Sequence, residues 1–249
     1  MSYQLYYQTD VGRVRPHNED AVKILNNDHC AVMVVADGMG GHEAGDVASK
    51  MVIDHVEGAF RDDLRFPTPE QARVWSRDLL SNLNDQILQY IEDKNLSKGM
   101  GTTVIITVIA SGFISFAHIG DSRAYILAYK KIRQLTKDHT FVRKLVDEGK
   151  LTEKAARFHP HRNIIMNALG VNKTVKFDYL VLENIDLESV MICTDGLTSM
   201  VDDREIAEIL GQRAIVEEKV RKLIQIANEN GGKDNISIAL CEFAEGSVF

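Results

Sequence analysis

The sequence predicts an α+β domain built on antiparallel sheets. Short apolar runs follow one another at hairpin-like spacing. Helical patterns arrive in pairs, not between every two strands as a parallel βαβ arrangement requires. No repeat, low-complexity stretch or Pro- or Gly-rich linker divides the 249 residues, so a single domain over residues 1–249 is the expected organisation.

Along the chain, Ala31–Ala36 reads as the first buried strand. Glu43–Phe60 places Val47, Ala48, Met51, His55, Val56 and Ala59 on one helical face, and Glu70–Lys94 does the same with Ala72, Trp75, Leu79, Leu83, Ile87 and Ile91. From Gly99 to Gly120 there is no charged side chain, and that length would suit a membrane span. The run is β-branched from Thr102 to Ile109, however, and Ser111-Gly112 interrupts it with hairpin chemistry. It is predicted as two strands, Thr102–Ala110 and Phe113–Ile119, without membrane insertion. Arg123–Ala128 is the next strand. A helix is expected after Asp138 as N-cap, stopping at Gly149, and another from about Thr152 to His159, where Pro160 ends it. Strands Val190–Thr194 and Ile236–Phe243 flank a last helix, Val216–Asn230, closed by Gly231-Gly232.

At 45% hydrophobic and 26% charged residues, the composition suits a globular protein with a real core. The net charge of -7 excludes binding of nucleic acid by bulk electrostatics, so any positive charge for a phosphate must be local. Cys30, Cys193 and Cys241 are odd in number and each lies in an apolar run, which reads as three buried thiols in a reducing compartment. The start, MSYQLYYQTDVGR, has neither an apolar core nor a basic leader. A cytoplasmic location is therefore expected, and a monomer, since no heptad pattern appears.

Four aspartates share one context. Asp37 follows CAVMVVA, Asp121 follows ISFAHI-Gly120, Asp195 follows VMICT, and Asp234 precedes the run Ile236–Leu240. Any one could be a turn residue, since strands end in Asp-Gly turns. Four of them on strongly apolar strands point instead to convergence on one rim, because the end of one antiparallel strand lies beside the start of its neighbour. Two carboxylates about 4 Å apart repel by roughly 4 kcal/mol at an effective dielectric near 20. Cations between them relieve that repulsion, and hard oxygen donors without a Cys or His pattern suit Mg²⁺ or Mn²⁺ over zinc. Two such ions can lower the pKa of a shared water and present it to a phosphorus in line with the leaving oxygen. The segment TDVGRVRPHNEDA adds Arg15, whose planar fork can grip two phosphate oxygens; taken alone, it reads sooner as a solvated charged loop.

These segments resemble the PPM family of protein phosphatases, the PP2C type, in its bacterial form. The matching stretches are TDVGRVRPHNED (Thr9–Asp20), VVADGMGGHEAGDVAS (Val34–Ser49), GMGTT (Gly99–Thr103), AHIGDSRAY (Ala117–Tyr125), TKDHTFV (Thr136–Val142), HPHRNII (His159–Ile165), CTDGLT (Cys193–Thr198) and GGKDNIS (Gly231–Ser237). They occur in the family order and span the chain. The resemblance implies a four-layer α-β-β-α sandwich, with two antiparallel sheets face to face and helices on both outer sides. It implies two to three divalent cations, Mn²⁺ or Mg²⁺. Asp37 would bridge two of them, Asp195 and Asp234 would hold the first, and the Gly38 carbonyl the second. Asp20 would act through water, and Asp121 with Asp195 would form a third site. Arg15 would bind the substrate phosphate, Asn235 would shape the turn beside the ligands, and a flap would cover about residues 139–170. The implied substrates are phosphorylated proteins, including a bacterial Ser/Thr kinase and its targets.

One position departs from the pattern. Relatives from higher organisms carry a histidine, proposed as a general acid, directly after the metal-binding Asp-Gly. Met39 stands there, as in bacterial members, and His42 is the nearest candidate donor. Other phosphatase classes are excluded. A cysteine phosphatase needs Arg six residues after its Cys, where this chain has Ala36, Ser199 and Ser247. Gly-Asn-His-Glu, G-x-S-x-G and GxxxxGK[ST] are all absent. The rival from another class is a catalytically inactive, phosphoprotein-binding relative.

Overall fold

The structure is a computed structural model that describes residues 3–40, 44–96, 99–156 and 158–244. Its elements in chain order are β1 (Tyr3–Asp10), β2 (Asp20–Asn26), β3 (Cys30–Gly40), α1 (Ala44–Ala59), α2 (Pro69–Asp93), β4 (Met100–Thr102), β5 (Val104–Ala110), β6 (Phe113–Ile119), β7 (Arg123–Ala128), β8 (Lys131–Gln134), α3 (Phe141–Asp147), α4 (Glu153–Ala156), β9 (Asp178–Leu182), β10 (Ser189–Cys193), α5 (Asp195–Thr198), α6 (Asp203–Leu210), α7 (Val216–Glu229) and β11 (Ile236–Phe243).

Period-two alternation along the strands generates the layers. On β3, Val32, Val34 and Ala36 pack with Val52 and Val56 of α1 and Leu80, Leu83 and Ile87 of α2. The alternate residues Ala31, Met33 and Val35 pack against Ile126, Ile192 and Ala239 of the other sheet. That second sheet turns Leu127, Met191, Ile238 and Leu240 outward onto Ile206 of α6 and Val220 and Leu223 of α7. Three apolar layers therefore separate four structural ones, α-β-β-α, as the family resemblance implies. Both faces of the central strands are buried, which is why they read as unbroken apolar runs.

One sheet has the order β1-β11-β10-β7-β8, and the other β2-β3-β5-β6-β9 with β4 paired to β3. All pairings are antiparallel. The uncharged run from Gly99 to Gly120 forms β4, β5 and β6, with Gly112 at φ 90° in the hairpin turn. Among the described residues no helix is long and apolar enough to cross a membrane. Helix α2 begins with Thr68, whose hydroxyl accepts from the Gln71 N–H at 3.3 Å, followed by Pro69. The expected N-cap at Asp138 is corrected. Thr140 caps α3, accepting from the Arg143 N–H at 3.3 Å. The Asp138 carboxylate is engaged by Arg123 instead, at 2.7 Å from Nη2 and 3.0 Å from Nε.

Candidate metal centre

Two strand junctions bring the acids together. In the sheet that contains β3, Asp20 pairs across the ladder with Asp37. In the other sheet, the Thr194 N–H donates to the Ser237 carbonyl at 3.0 Å, one step beyond β10. Asp195 therefore leaves that sheet beside the point where Asp234 and Asn235 enter it. Asp121 lies on the three-residue crossing from β6 in one sheet to β7 in the other. The charges of Asp20, Asp195, Asp121 and Asp234 all act on Asp37.

The electrostatics are those of crowded, desolvated carboxylates. Burial, then the charges of Asp20, Asp195, Asp121 and Asp234, lifts the Asp37 carboxyl well above the usual range. Burial pushes Asp20 up to about 7, against hydrogen bonds from Thr194 and Ser237 that favour its charge. Asp121 is pushed up to about 8 by burial, then by Asp195 and Asp138. Asp195 is raised to about 6 by burial and Asp234, with Arg123 and Arg15 pulling the other way. Asp20 and Asp121 are each only 8% exposed. The Asp121 Oδ1 is buried without a hydrogen-bond partner, an acceptor that a cation or water would satisfy. The donors offered here are carboxylate and carbonyl oxygens, so the residues present fit Mg²⁺ or Mn²⁺.

Glycines shape this rim by giving room. A Cβ on Gly38 would stand 2.0 Å from the Gly45 carbonyl oxygen and 2.6 Å from that of Glu19. On Gly196 it would stand 1.9 Å from the Asn235 carbonyl oxygen. Gly38 lies inside β3 and Gly196 inside α5, so neither Asp-Gly pair is a strand-ending turn.

Arg15 projects from the loop between β1 and β2, with Nη2 2.7 Å from Asp234 Oδ2 and its side chain 45% exposed. Asn235 fixes that loop. Its side-chain amide donates to the Val11 carbonyl at 2.9 Å and the His17 carbonyl at 3.0 Å, and accepts from the Glu19 N–H at 2.8 Å. It therefore does more than shape its own turn: it holds the arginine-bearing loop against the acids. His42 lies outside the described residues. The segment expected to form a flap, about residues 139–170, is tied to the rim near both of its ends. The His139 N–H donates to the Gly120 carbonyl at 2.8 Å, and Leu169 and Thr102 exchange N–H to carbonyl bonds of 3.0 and 3.2 Å.

Residues that sequence reasoning did not single out complete the rim. Thr194 donates its hydroxyl to Asp20 Oδ2 at 2.7 Å. Thr103 Oγ1 accepts from the Asp37 N–H at 3.0 Å and meets the Ser122 hydroxyl at 2.8 Å. Arg123 lies inside the segment AHIGDSRAY, but only the β7–β10 register shows it beside Cys193.

A separate group, His118, His139 and Asp178, offers donor atoms within 4.8 Å of one another. The Gly120 N–H donates to His139 Nδ1 at 3.1 Å, so the neutral ring carries its proton on Nε2, 3.2 Å from Asp178 Oδ2. That nitrogen has no lone pair to offer a cation. Burial, then the neighbouring His139, lowers His118 to about 4, and it packs as a neutral ring 4.7 Å from His139. Cys30, Cys193 and Cys241 are buried free thiols, with Cys30 raised by burial to about 11.

A four-layer sandwich with an all-oxygen acidic rim where its two sheets meet defines a divalent-metal centre of the phosphatase type. The chain belongs to the protein phosphatase 2C family, whose model matches residues 13–241. It is 39% identical to the serine/threonine phosphatase Stp of Listeria monocytogenes over 95% of this chain and 94% of that one. Among solved structures it superposes on the serine/threonine phosphatase Stp1 of Staphylococcus aureus with a TM-score of 0.91, at 35% identity, covering 98% of this chain and 96% of that one. It also superposes on the catalytic domain of the serine/threonine protein phosphatase PstP, solved with two manganese ions, with a TM-score of 0.84, at 33% identity and with 96% and 97% covered.

Proposed function

We propose that this chain is a metal-dependent phosphatase that hydrolyses phosphoserine and phosphothreonine in proteins. The observation that carries the reading is the rim itself: Asp37 carries the repulsion of four other carboxylates, which divalent cations relieve. Asp37, Asp195, Asp234 and the Gly38 carbonyl would hold two ions, Asp20 acting through water, and Asp121 with Asp195 a third. Bound there, Mn²⁺ or Mg²⁺ supplies Lewis-acid polarisation of the phosphoryl group and a water nucleophile at neutral pH. Arg15, exposed at the open side of the rim, exchanges part of its bond to Asp234 for the substrate phosphate and sets its orientation. Asn235 keeps that arginine in place. As the P–O bond to the serine breaks, the leaving oxygen needs a proton, and His42 is the proposed donor because Met39 cannot give one.

The test is release of phosphate from an aryl phosphate and from a phosphothreonine peptide, with Mn²⁺ and then with chelator. Turnover that appears with the metal and disappears with the chelator is the expected result. None in either condition would favour an inactive, phosphoprotein-binding relative. In the same assay His42→Ala is expected to lose about 10²-fold on the peptide and little on the aryl phosphate, whose leaving group needs no proton. Equal losses on both would rule out the acid role.

The wider setting is proposed on the same reading: a cytoplasmic monomer acting on a Ser/Thr kinase and its phosphorylated targets. Light scattering that gave a dimer mass at every concentration would refute the monomer. Phosphate retained on the kinase after incubation with the Mn²⁺-loaded protein would refute that target.

A further inference from the structure

A cavity of about 800 Å³ opens between α3 and the segment 172–178, which leads into β9. Five cationic side chains line it, Lys137, Arg143, Lys144, Lys173 and Lys176, against three carboxylates. This is unexpected in a chain of net charge -7.

Each of the three carboxylates already has a partner. Asp138 is held by Arg123 at 2.7 Å. Asp147 is shared by Lys137 at 2.6 Å and Arg143 at 3.0 Å. Asp178 accepts from His139 at 3.2 Å. Lys144, Lys173 and Lys176 make no ion pair among the described residues, and all three are exposed. The cavity thus presents three ammonium groups that make no ion pair, against the single charge of Asp178 that the neutral His139 ring leaves in place, with the side-chain amide of Asn172 beside them and that of Asn167 engaged by the Lys176 carbonyl and His139 Nδ1. Its position is as informative as its charge. His139 forms part of the wall and is bonded twice to Gly120, through Nδ1 and through its own N–H. The next residue is Asp121, about 3.8 Å along the backbone. The cavity therefore abuts the acidic rim on the flap side.

We propose that this cavity is an accessory anion subsite for the substrate protein, holding carboxylates or a second phosphoryl group a few residues from the phosphoamino acid being hydrolysed. The proposal rests on the phosphatase reading above. The rim repels anionic segments, and an adjoining cationic cavity offsets that repulsion and orients the chain across the site. No covalent step is involved. The subsite selects among phosphoproteins by charge around the phosphorylated residue.

The test compares the full chain with a triple variant, Lys144→Glu, Lys173→Glu and Lys176→Glu, all at exposed positions. Four Mn²⁺-loaded assays use an aryl phosphate, a phosphothreonine peptide with neutral flanks, one with Asp-rich flanks, and one with a second phosphoserine in the flank. The full chain is expected to prefer one or both anionic peptides by about tenfold in kcat/KM at low salt, with the difference in KM. The triple variant is expected to lose that preference while keeping the aryl phosphate and neutral peptide within about twofold, and Lys→Arg at the same positions to retain it. The two anionic peptides show which source the subsite prefers. A full chain without preference, or a triple variant that retains it, would overturn the subsite. Fluorescence anisotropy with the unphosphorylated Asp-rich peptide reads the same difference without turnover. Lost turnover therefore counts against the phosphatase reading, and lost charge dependence of binding against the subsite.

Discussion

Asp37→Asn is expected to lower Mn²⁺-dependent phosphate release by about 10³-fold or more while raising the thermal stability of the metal-free protein. The two effects share one cause and have opposite signs. The substitution keeps the side chain's shape and removes its charge. With metal present, the loss of a charged oxygen that would hold the ions is expected to forfeit several kcal/mol of transition-state stabilisation, and about 1.36 kcal/mol corresponds to each factor of ten. Without metal, the same charge is a liability: it is desolvated and repelled by Asp20, Asp195, Asp121 and Asp234. Its removal raises Tm by about 2–4 °C for each kcal/mol of repulsion relieved in a chain of this size. A side chain present only to terminate a strand would lower stability and leave turnover unaffected. The measurement is a pair of melts in chelator beside initial rates with saturating Mn²⁺. A variant that loses both stability and activity would mean that Asp37 is structural.

How much of this was legible depended on where each strand lies in its sheet. The spans Phe113–Ile119, Arg123–Ala128 and Ile236–Phe243 are as read from the sequence, because these central strands are buried on both faces. The four unread strands on the two sheet paths, β1, β2, β8 and β9, are the four sheet edges. Their mixed patterns, such as YQLYYQTD and KIRQ, reflect residues that alternate between core and water, and they carry no unbroken apolar run. The expected strand Thr102–Ala110 is two strands, broken at Thr103, whose hydroxyl is engaged by the Asp37 N–H. The aspartates were readable because each follows or precedes a strong apolar run, although Asp37 itself lies within β3. The hold of Asn235 on the Arg15 loop was not, since it spans contacts more than 200 residues apart in sequence. The glycines after Asp37 and Asp195 were readable as residues but not as reasons: they relieve contacts with Gly45 and Asn235 that only the packed structure creates.

Metal-free protein is expected to lose stability as pH rises from about 4 to about 8, the reverse of an ordinary ion-paired domain. An unfolded aspartate titrates near 3.9. In the folded rim Asp195 titrates at about 6, Asp20 at about 7 and Asp121 at about 8, and Asp37 is also raised. Between those limits the folded state binds more protons than the unfolded state, so the slope of unfolding free energy with pH is negative. Each excess proton costs about 1.4 kcal/mol per pH unit. The protons belong to the coupled rim as a unit, so the fall is spread across the window without separate steps. Divalent cations replace those protons as the source of positive charge. The Tm difference between Mn²⁺-loaded and chelated protein should therefore widen steadily from pH 5 to pH 8. Asp121→Asn in chelator should flatten the slope, because it removes one carboxylate with a raised pKa and leaves every titrating group outside the rim in place. Carboxylates that served as helix caps or ion-pair partners would have folded pKa values below 3.9, and stability would climb over the same interval. Melts at four pH values, with and without chelator, decide between the two signs. A chelated protein that grew more stable from pH 5 to pH 8 would show that these five aspartates do not form one mutually repelling set.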